Sequence, residues 1–483
     1  MNRALVLSLA LAPWLAGCAL GPTVRQPDTR LPAAYPAPTA AADAQADIER
    51  WWTLYNDPQL EALVNQALAD APDALSATAR LQEAMATRRE ALASYDPQGS
   101  IQSSNTYTDT NAIGRSASFP IGNGEVINLS PSGSTYNVGA NFNVSWEIDL
   151  FGRRSAARRK ANADLAAAAF DAAASRASLE ANVADQLFQA RGLAIQLDDA
   201  RETAWIERQL LDVAQKKADR GMGPSSDVDQ TAAEVAQSDA QVADLESQLK
   251  AARRTLLVLV GHGVDPLDSL PTPAAAGFPP AVPVGVPGEL MVRRPDVREA
   301  AARLKSAAGQ LKLDELALFP KFTLQPGVGL SSNNQIGFPI SSDFWSIGLG
   351  LAQPVLDMPR LKAEIHAQGA RADQAAIAYQ KTVQTAYGEA ENALTELASD
   401  EARIRLLTAG EAEGRTAYDA ARQAYAAGID DLTAVLSAER TWRTARSALT
   451  SAQVQALRRS VQAFKALGGG WTPGAASVKR AQR

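Results

Sequence analysis

Two periodicities alternate along the chain, and each occurs twice. From Tyr136 the residues Tyr136, Val138, Ala140, Phe142, Val144 and Trp146 are apolar or small, while Asn137, Asn141, Asn143, Ser145 and Glu147 fall between them. An alternation of two is that of a strand with one apolar and one polar face. It returns in Phe322, Leu324, Val328 and Leu330, and again in Trp345, Ile347, Leu349 and Leu351. A fourth run, Ile101 to Thr110, is weaker and carries polar residues on both faces. Between these runs the pattern is helical. Arg153 to Arg220 and Arg360 to Ala427 contain no proline and are rich in Ala, Gln, Arg and Leu, all good helix formers. Each predicts one helix of about 100 Å at a rise of 1.5 Å per residue. A Gly-containing turn follows each, at Gly221 or Gly428, and then a returning helix, Asp227 to Val260 or Leu432 to Leu467. Shorter helices, Leu60 to Ser94 and Asp296 to Leu318, precede the strands and end near Pro97 and Pro320.

The order of elements is therefore an internal repeat. Ala74 to Leu81 corresponds to Val297 to Leu304, Trp146 to Arg153 corresponds to Gln353 to Arg360, and Gly221 corresponds to Gly428. The offset shortens between Pro97 and Trp146, which predicts an insert, read as a loop, in the first copy. The expected organisation is a signal segment at 1–17, a strap and equatorial segment at 18–59, a first repeat at 60–265, a Pro/Gly-rich linker at 266–294, a second repeat at 295–470 and a loose tail at 471–483.

The strands are long enough to cross a membrane, for which runs of about 10 alternating residues suffice. Four strands cannot close a barrel, and an open edge in lipid leaves backbone groups unsatisfied at several kcal/mol each. Either the strands avoid the membrane or several chains share one barrel, and three chains supply twelve strands. The fold class expected is α+β, with four β-strands per chain for a shared barrel and long antiparallel helices for a shared helical tunnel.

The start of the chain adds an address. Arg3, the apolar run Ala4 to Ala12 and the small residues Ala16 and Gly17 form an export signal too short to span a bilayer as a helix. Leu15-Ala16-Gly17-Cys18 resembles the lipobox of bacterial lipoproteins, which implies lipidation at Cys18, the single cysteine of the chain. The absence of Asp at Ala19 implies sorting to the outer membrane by the rule of that family.

Composition removes other classes. The 483 residues include 47 Lys and Arg against 53 Asp and Glu, a net charge of −6, so no positive field exists to collect nucleic acid. Two histidines, His262 and His366, lie far apart and lack ligand spacing, so neither metal nor cofactor is expected. No positioned base accompanies the plentiful Ser, Asp and Lys, and no catalytic residue is assigned.

Five motifs in order resemble the outer membrane factors of tripartite efflux pumps, in the NodT-type lipoprotein branch of the TolC-like superfamily. They are Cys18 to Pro22, Trp51 to Leu60 (WWTLYNDPQL), Trp146 to Arg153 (WEIDLFGR), Arg293 to Val297 (RRPDV) and Leu467 to Trp471 (LGGGW). The resemblance implies a homotrimer lodged in outer-membrane lipid, with a periplasmic helical tunnel that docks at its tips onto a periplasmic adaptor protein. The adaptor would link it to an inner-membrane pump of RND or MFS type. The implied function is passive conduction of small molecules, with a protein-secretion duct and a structural periplasmic lipoprotein as alternatives.

Candidate site residues follow from that architecture. Gly221, Gly223 and Gly428 mark the tips and the adaptor-docking region. Asp227, Asp430, Asp431, Thr433 and Ser437 are candidates for a gate at the tunnel entrance, although helix capping is the favoured reading of Asp430 and Asp431. Arg153, Arg154, Arg158, Arg159 and Lys160 suit either lipid headgroups or charge pairs on a solvated helix. Trp146, Phe151, Phe344 and Trp345 suit an interfacial belt or ordinary packing.

Overall fold

A computed structural model describes residues 24–36, 48–111, 117–122, 125–129, 133–275, 277–283, 285–335 and 338–470. The signal segment, Cys18 and the tail from Trp471 lie outside the described residues. Two compact units divide the chain, and each draws on both repeats: one takes in 86–164 and 303–376, the other 26–85, 165–302 and 377–483.

The first unit holds a four-stranded antiparallel sheet of β1 (Gln98–Thr110), β4 (Gly133–Ile148), β5 (Lys321–Gln335) and β6 (Phe338–Ala352), in the order β1-β4-β5-β6. The repeats meet in its middle, where β4 pairs with β5 through Phe142 opposite Val328 and Trp146 opposite Leu324. Sequence periodicity expects four strands and a loop insert. The insert instead contains a further hairpin, β2 (Ala117–Ile121) with β3 (Glu125–Leu129). Its five-residue strands are too short for periodicity to register.

Register separates the sheet faces. Directly opposite residues share a face, so Val138, Phe142, Trp146, Leu330, Trp345, Ile347 and Leu349 stand on one side. That side is exposed: Trp345 is 77% and Leu349 70% accessible. The other side carries Asn137, Asn141, Asn143, Gln325, Ser331 and Ser346 with glycines among them. Phe344 belongs to this polar side, opposite Gly329, whose missing side chain makes room for the ring. It therefore stands apart from Trp345, which is mid-strand rather than at a strand end. Phe151 stacks on Phe319, ring centroids 5.0 Å apart, as packing.

The longer helices are α1 (Pro58–Asp70), α2 (Pro72–Ala93), α3 (Arg153–Asp219), α4 (Ser225–Leu259), α5 (Pro295–Leu316), α6 (Met358–Ala426) and α7 (Leu432–Ala466). The single helix expected over Leu60 to Ser94 is two helices. Ala71 is extended, at ψ 133°, because the ring of Pro72 disfavours helical geometry in the residue before it. No helix among the described residues is long and apolar enough to cross a membrane.

The core of the second unit is built around the WWTLYNDPQL segment. Trp51 is 1% exposed and stacks on Phe464. Leu60, Val64, Leu187, Leu256 and Val461 belong to the same cluster. Asp57 caps α1 through the amides of Gln59 and Leu60 and pairs with Arg191 of α3. Arg294 of the RRPDV motif is buried, donating to Asp296, to Glu389 and to the carbonyl of Ala466 at the end of α7.

Candidate functional site

The two helical hairpins turn in the same way. At the first, the amide of Met222 donates to the carbonyl of Lys217 and that of Gly221 to Ala218. At the second, Ile429 donates to Ala424 and Gly428 to Tyr425. This pairing of a six-residue and a four-residue loop is the Schellman termination, whose pivot must adopt positive φ. Gly221 has φ +69° and Gly428 +75°. Each glycine is followed by an exposed apolar residue, Met222 at 64% and Ile429 at 81% accessibility.

Behind the turns the two hairpins are held together. Leu210, Ala214, Tyr418, Leu432, Val435, Leu436 and Trp442 form a buried cluster, and Lys217 Nζ sits 3.5 Å above the ring of Tyr425. The candidate gate residues occupy different settings. Asp431 accepts from the amide of Ala434 at 2.9 Å and caps α7, while Asp430 is exposed in the turn. Thr433 and Ser437 are exposed one helical turn apart on α7, interspersed in sequence with the buried positions Leu432, Val435 and Leu436. Asp227 is half-buried in the first turn of α4, in the other hairpin, and its carbonyl accepts from Thr231 Oγ1 at 2.7 Å. The candidates thus fall into a capping group, an exposed stripe and a residue of the other hairpin.

Sequence reasoning missed the arginine ladder on α7. Arg440 reaches Glu234 of α4 at 3.2 Å, Arg443 reaches Glu207 of α3 at 2.9 Å, and Arg446 reaches Asp199 and Glu202 of α3 at 2.6 and 2.8 Å. These residues border an open groove of about 1030 Å³ between the helices. The signal was present in the sequence as arginines three residues apart, a spacing that puts them on one helix face. The carboxylates they meet are distant in sequence and could not be assigned.

The basic run after β4 is largely paired: Arg153 with Glu147 at 3.3 Å, Arg154 with Asp96 at 2.6 Å and Lys160 with Asp164 at 2.8 Å. No group of three or more His, Cys, Asp or Glu suited to a metal occurs among the described residues.

A paired-repeat chain with long helical hairpins and an outward apolar sheet is matched by the model of one family, "Outer membrane efflux protein", over residues 63–262 and 286–469. The chain belongs to the outer membrane efflux protein family. As a member it is an outer-membrane component of efflux, with its sheet as the membrane element. Among curated relatives, the pyoverdine export outer membrane protein OpmQ of Pseudomonas aeruginosa is 28% identical over 470 residues, covering 96% of this chain and 97% of its own length. The toluene efflux pump outer membrane protein TtgF of Pseudomonas putida is 28% identical over 490 residues, with 96% of each covered. Among solved structures, the outer-membrane channel OprN is 28% identical with a TM-score of 0.78, covering 94% of this chain and all of that one. The Campylobacter jejuni CmeC channel has a TM-score of 0.84 at 20% identity, covering 96% and 98%, and attests the fold.

Proposed function

We propose that three copies of this efflux protein form one conduit through which small molecules leave the cell, and that the chain performs no chemistry on them. The observation that carries the reading is the sheet. Its strands are 13 to 16 residues long, more than the 9–11 a membrane crossing needs, and its apolar face is exposed. Its edge strands β1 and β6 are each paired on one side only among the described residues. Because β1, β4, β5 and β6 alternate in direction, β6 of one copy continues the alternation onto β1 of the next. Closure removes the edges that lipid would leave unsatisfied. Twelve strands give an even-numbered barrel with apolar residues outside and Asn, Ser and Gln inside.

The hairpin tips are the surface at which a periplasmic adaptor docks, around Gly221, Gly223 and Gly428, and an inner-membrane pump of RND or MFS type drives the assembly. Asp227, Asp430, Thr433 and Ser437 border the entrance, with Asp431 fixing the start of α7. Lipidation at Cys18 anchors the start of the chain in the outer membrane. The relatives' cargoes, pyoverdine and toluene, are small molecules, which favours small-molecule cargo over polypeptides. Purified full-length protein tests the oligomer by native mass spectrometry in detergent. A mass of three chains supports the reading, and a monomer under conditions that preserve the fold overturns it. Cys18→Ser is expected to abolish incorporation of radiolabelled palmitate.

A further inference from the structure

One cluster behind the tips is unlike the ion pairs around it. Glu439 of α7 is completely buried, and neither of its carboxyl oxygens has a hydrogen-bond partner among the described residues. Glu207 of α3 is 3% exposed, with Oε2 likewise unpartnered. One guanidinium serves both: Arg443 Nη1 is 2.9 Å from Glu207 Oε1, whereas Arg443 Nε is 3.7 Å from Glu439 Oε1, beyond hydrogen-bond range. The groups facing this pocket come from all four helices. They are Glu207 on α3, Glu234 on α4, Tyr418 on α6, and Arg440 and Arg443 on α7. Arg440 is 70% exposed and engaged with Glu234, so its charge reaches Glu439 through solvent. A charged Glu439 would be a second buried anion near Glu207 with a single close cation, an arrangement that favours a proton on Glu439.

We propose that Glu439, Glu207 and Arg443 form a proton-linked latch that holds α7 against α3, tight when Glu439 carries a proton and loosened when it loses it. Burial, with Glu207 and Glu234 adding to it against the opposing pull of Arg443, raises the Glu439 pKa to about 7. If α7 lifts away, Glu439 meets water and returns to an ordinary carboxylate value near 4.5. The packed state therefore binds the proton more tightly. Its advantage is complete in acid and is lost progressively as pH rises from the ordinary value to about 7. Because α7 carries Thr433 and Ser437 at the tip, loosening it favours an open entrance. That consequence rests on the conduit reading above, while the latch is a property of packing within one chain.

Hydrogen exchange on the full-length protein in detergent micelles tests the latch without reference to conduction. Peptides covering 432–446 are compared at pH 5.5 and 7.5 after correction for intrinsic rates. The wild-type opening equilibrium is expected to rise about twentyfold between these values, and Glu439→Gln, which mimics the protonated acid, is expected to remove the rise. In Glu207→Gln the pocket has one anion and one cation, so the rise should shrink and move to lower pH. An unchanged wild-type equilibrium, or an equal rise in Glu439→Gln, overturns the latch. Planar-bilayer recordings on the same preparation separate the two ideas. Pores with flat exchange profiles leave the conduit and remove the latch, and a pH-dependent exchange profile without pores does the reverse.

Discussion

Trp51 stacks on Phe464 with ring centroids 5.6 Å apart and planes 16° from parallel. One ring precedes the first repeat and the other lies in the last turns of the second. The contact closes the chain on itself, with Tyr55 Oη and Ser460 Oγ 2.5 Å apart beside it. Trp51→Ala removes one of the largest fully buried side chains and should destabilise the fold by about 3–5 kcal/mol. Trp51→Phe should retain much of the stacking and lose less. Thermal unfolding of the two variants against wild type checks the order.

Asp57 does two jobs, capping α1 and pairing with Arg191, whose side chain is 11% exposed. Burial alone would raise its pKa, but hydrogen bonds from Arg191 and from the amides of Leu60 and Gln59 outweigh burial and hold it below the ordinary carboxylate value. Its contribution is therefore present above that ordinary value and is lost as pH falls through the lowered one. Asp57→Ala leaves a buried guanidinium without its partner and should cost about 3 kcal/mol or more at pH 7. Asp57→Asn keeps a capping oxygen and should cost less. The gap between the two variants and wild type should narrow in acid, measured by denaturant unfolding between pH 2 and 7.

At the tips, Gly221→Val and Gly428→Val place a β-branched side chain at positive φ, which costs about 1–2 kcal/mol. No neighbouring atom lies within 4 Å of a Cβ built at either glycine, so the penalty is backbone strain and stays local. Limited proteolysis should show faster cleavage at the altered tip, while the melting temperature barely moves.

Glu180 of α3 is 2% exposed, with Oε2 unpartnered among the described residues. Burial, only partly offset by Arg176, pushes its pKa up to about 8. A raised pKa in the folded state stabilises the fold in acid, and the benefit disappears as pH climbs from the ordinary value to about 8. Wild-type stability should decline between pH 5 and 8 by on the order of 1 kcal/mol per pH unit from this group, and Glu180→Gln should flatten that part of the profile. An identical slope in both proteins contradicts the assignment.

Much of the fold was legible in the sequence because its periods are long and pure. The apolar alternation from Tyr136 to Trp146 and the proline-free runs after Arg153 and Arg360 leave little room for another reading, and Gly221 and Gly428 stand at the ends of the two runs. What escaped depends on contact or on short range. The break at Ala71 turns on a single proline, and the β2–β3 hairpin is too short to show a period. The placement of Phe344 over Gly329 follows from strand register. The candidate gate was only half legible. An Asp two residues before the Thr433-Ala434-Val435 run reads as a cap before it reads as a gate, and the bond to the amide of Ala434 shows that Asp431 caps. The Glu207–Glu439–Arg443 cluster joins residues more than 200 positions apart, a distance over which local patterns carry no information.

The central claim is that identical copies pool their four strands around one conducting lumen. Single-channel recording from purified full-length protein in planar bilayers tests it most directly, with cysteines introduced one at a time on the polar sheet face at Asn141 and on the apolar face at Leu349. Discrete pores are expected, blocked by a water-soluble thiol reagent at position 141 and indifferent to it at position 349. Absence of pores from a folded, membrane-inserted protein, or block at position 349 with none at 141, would contradict it.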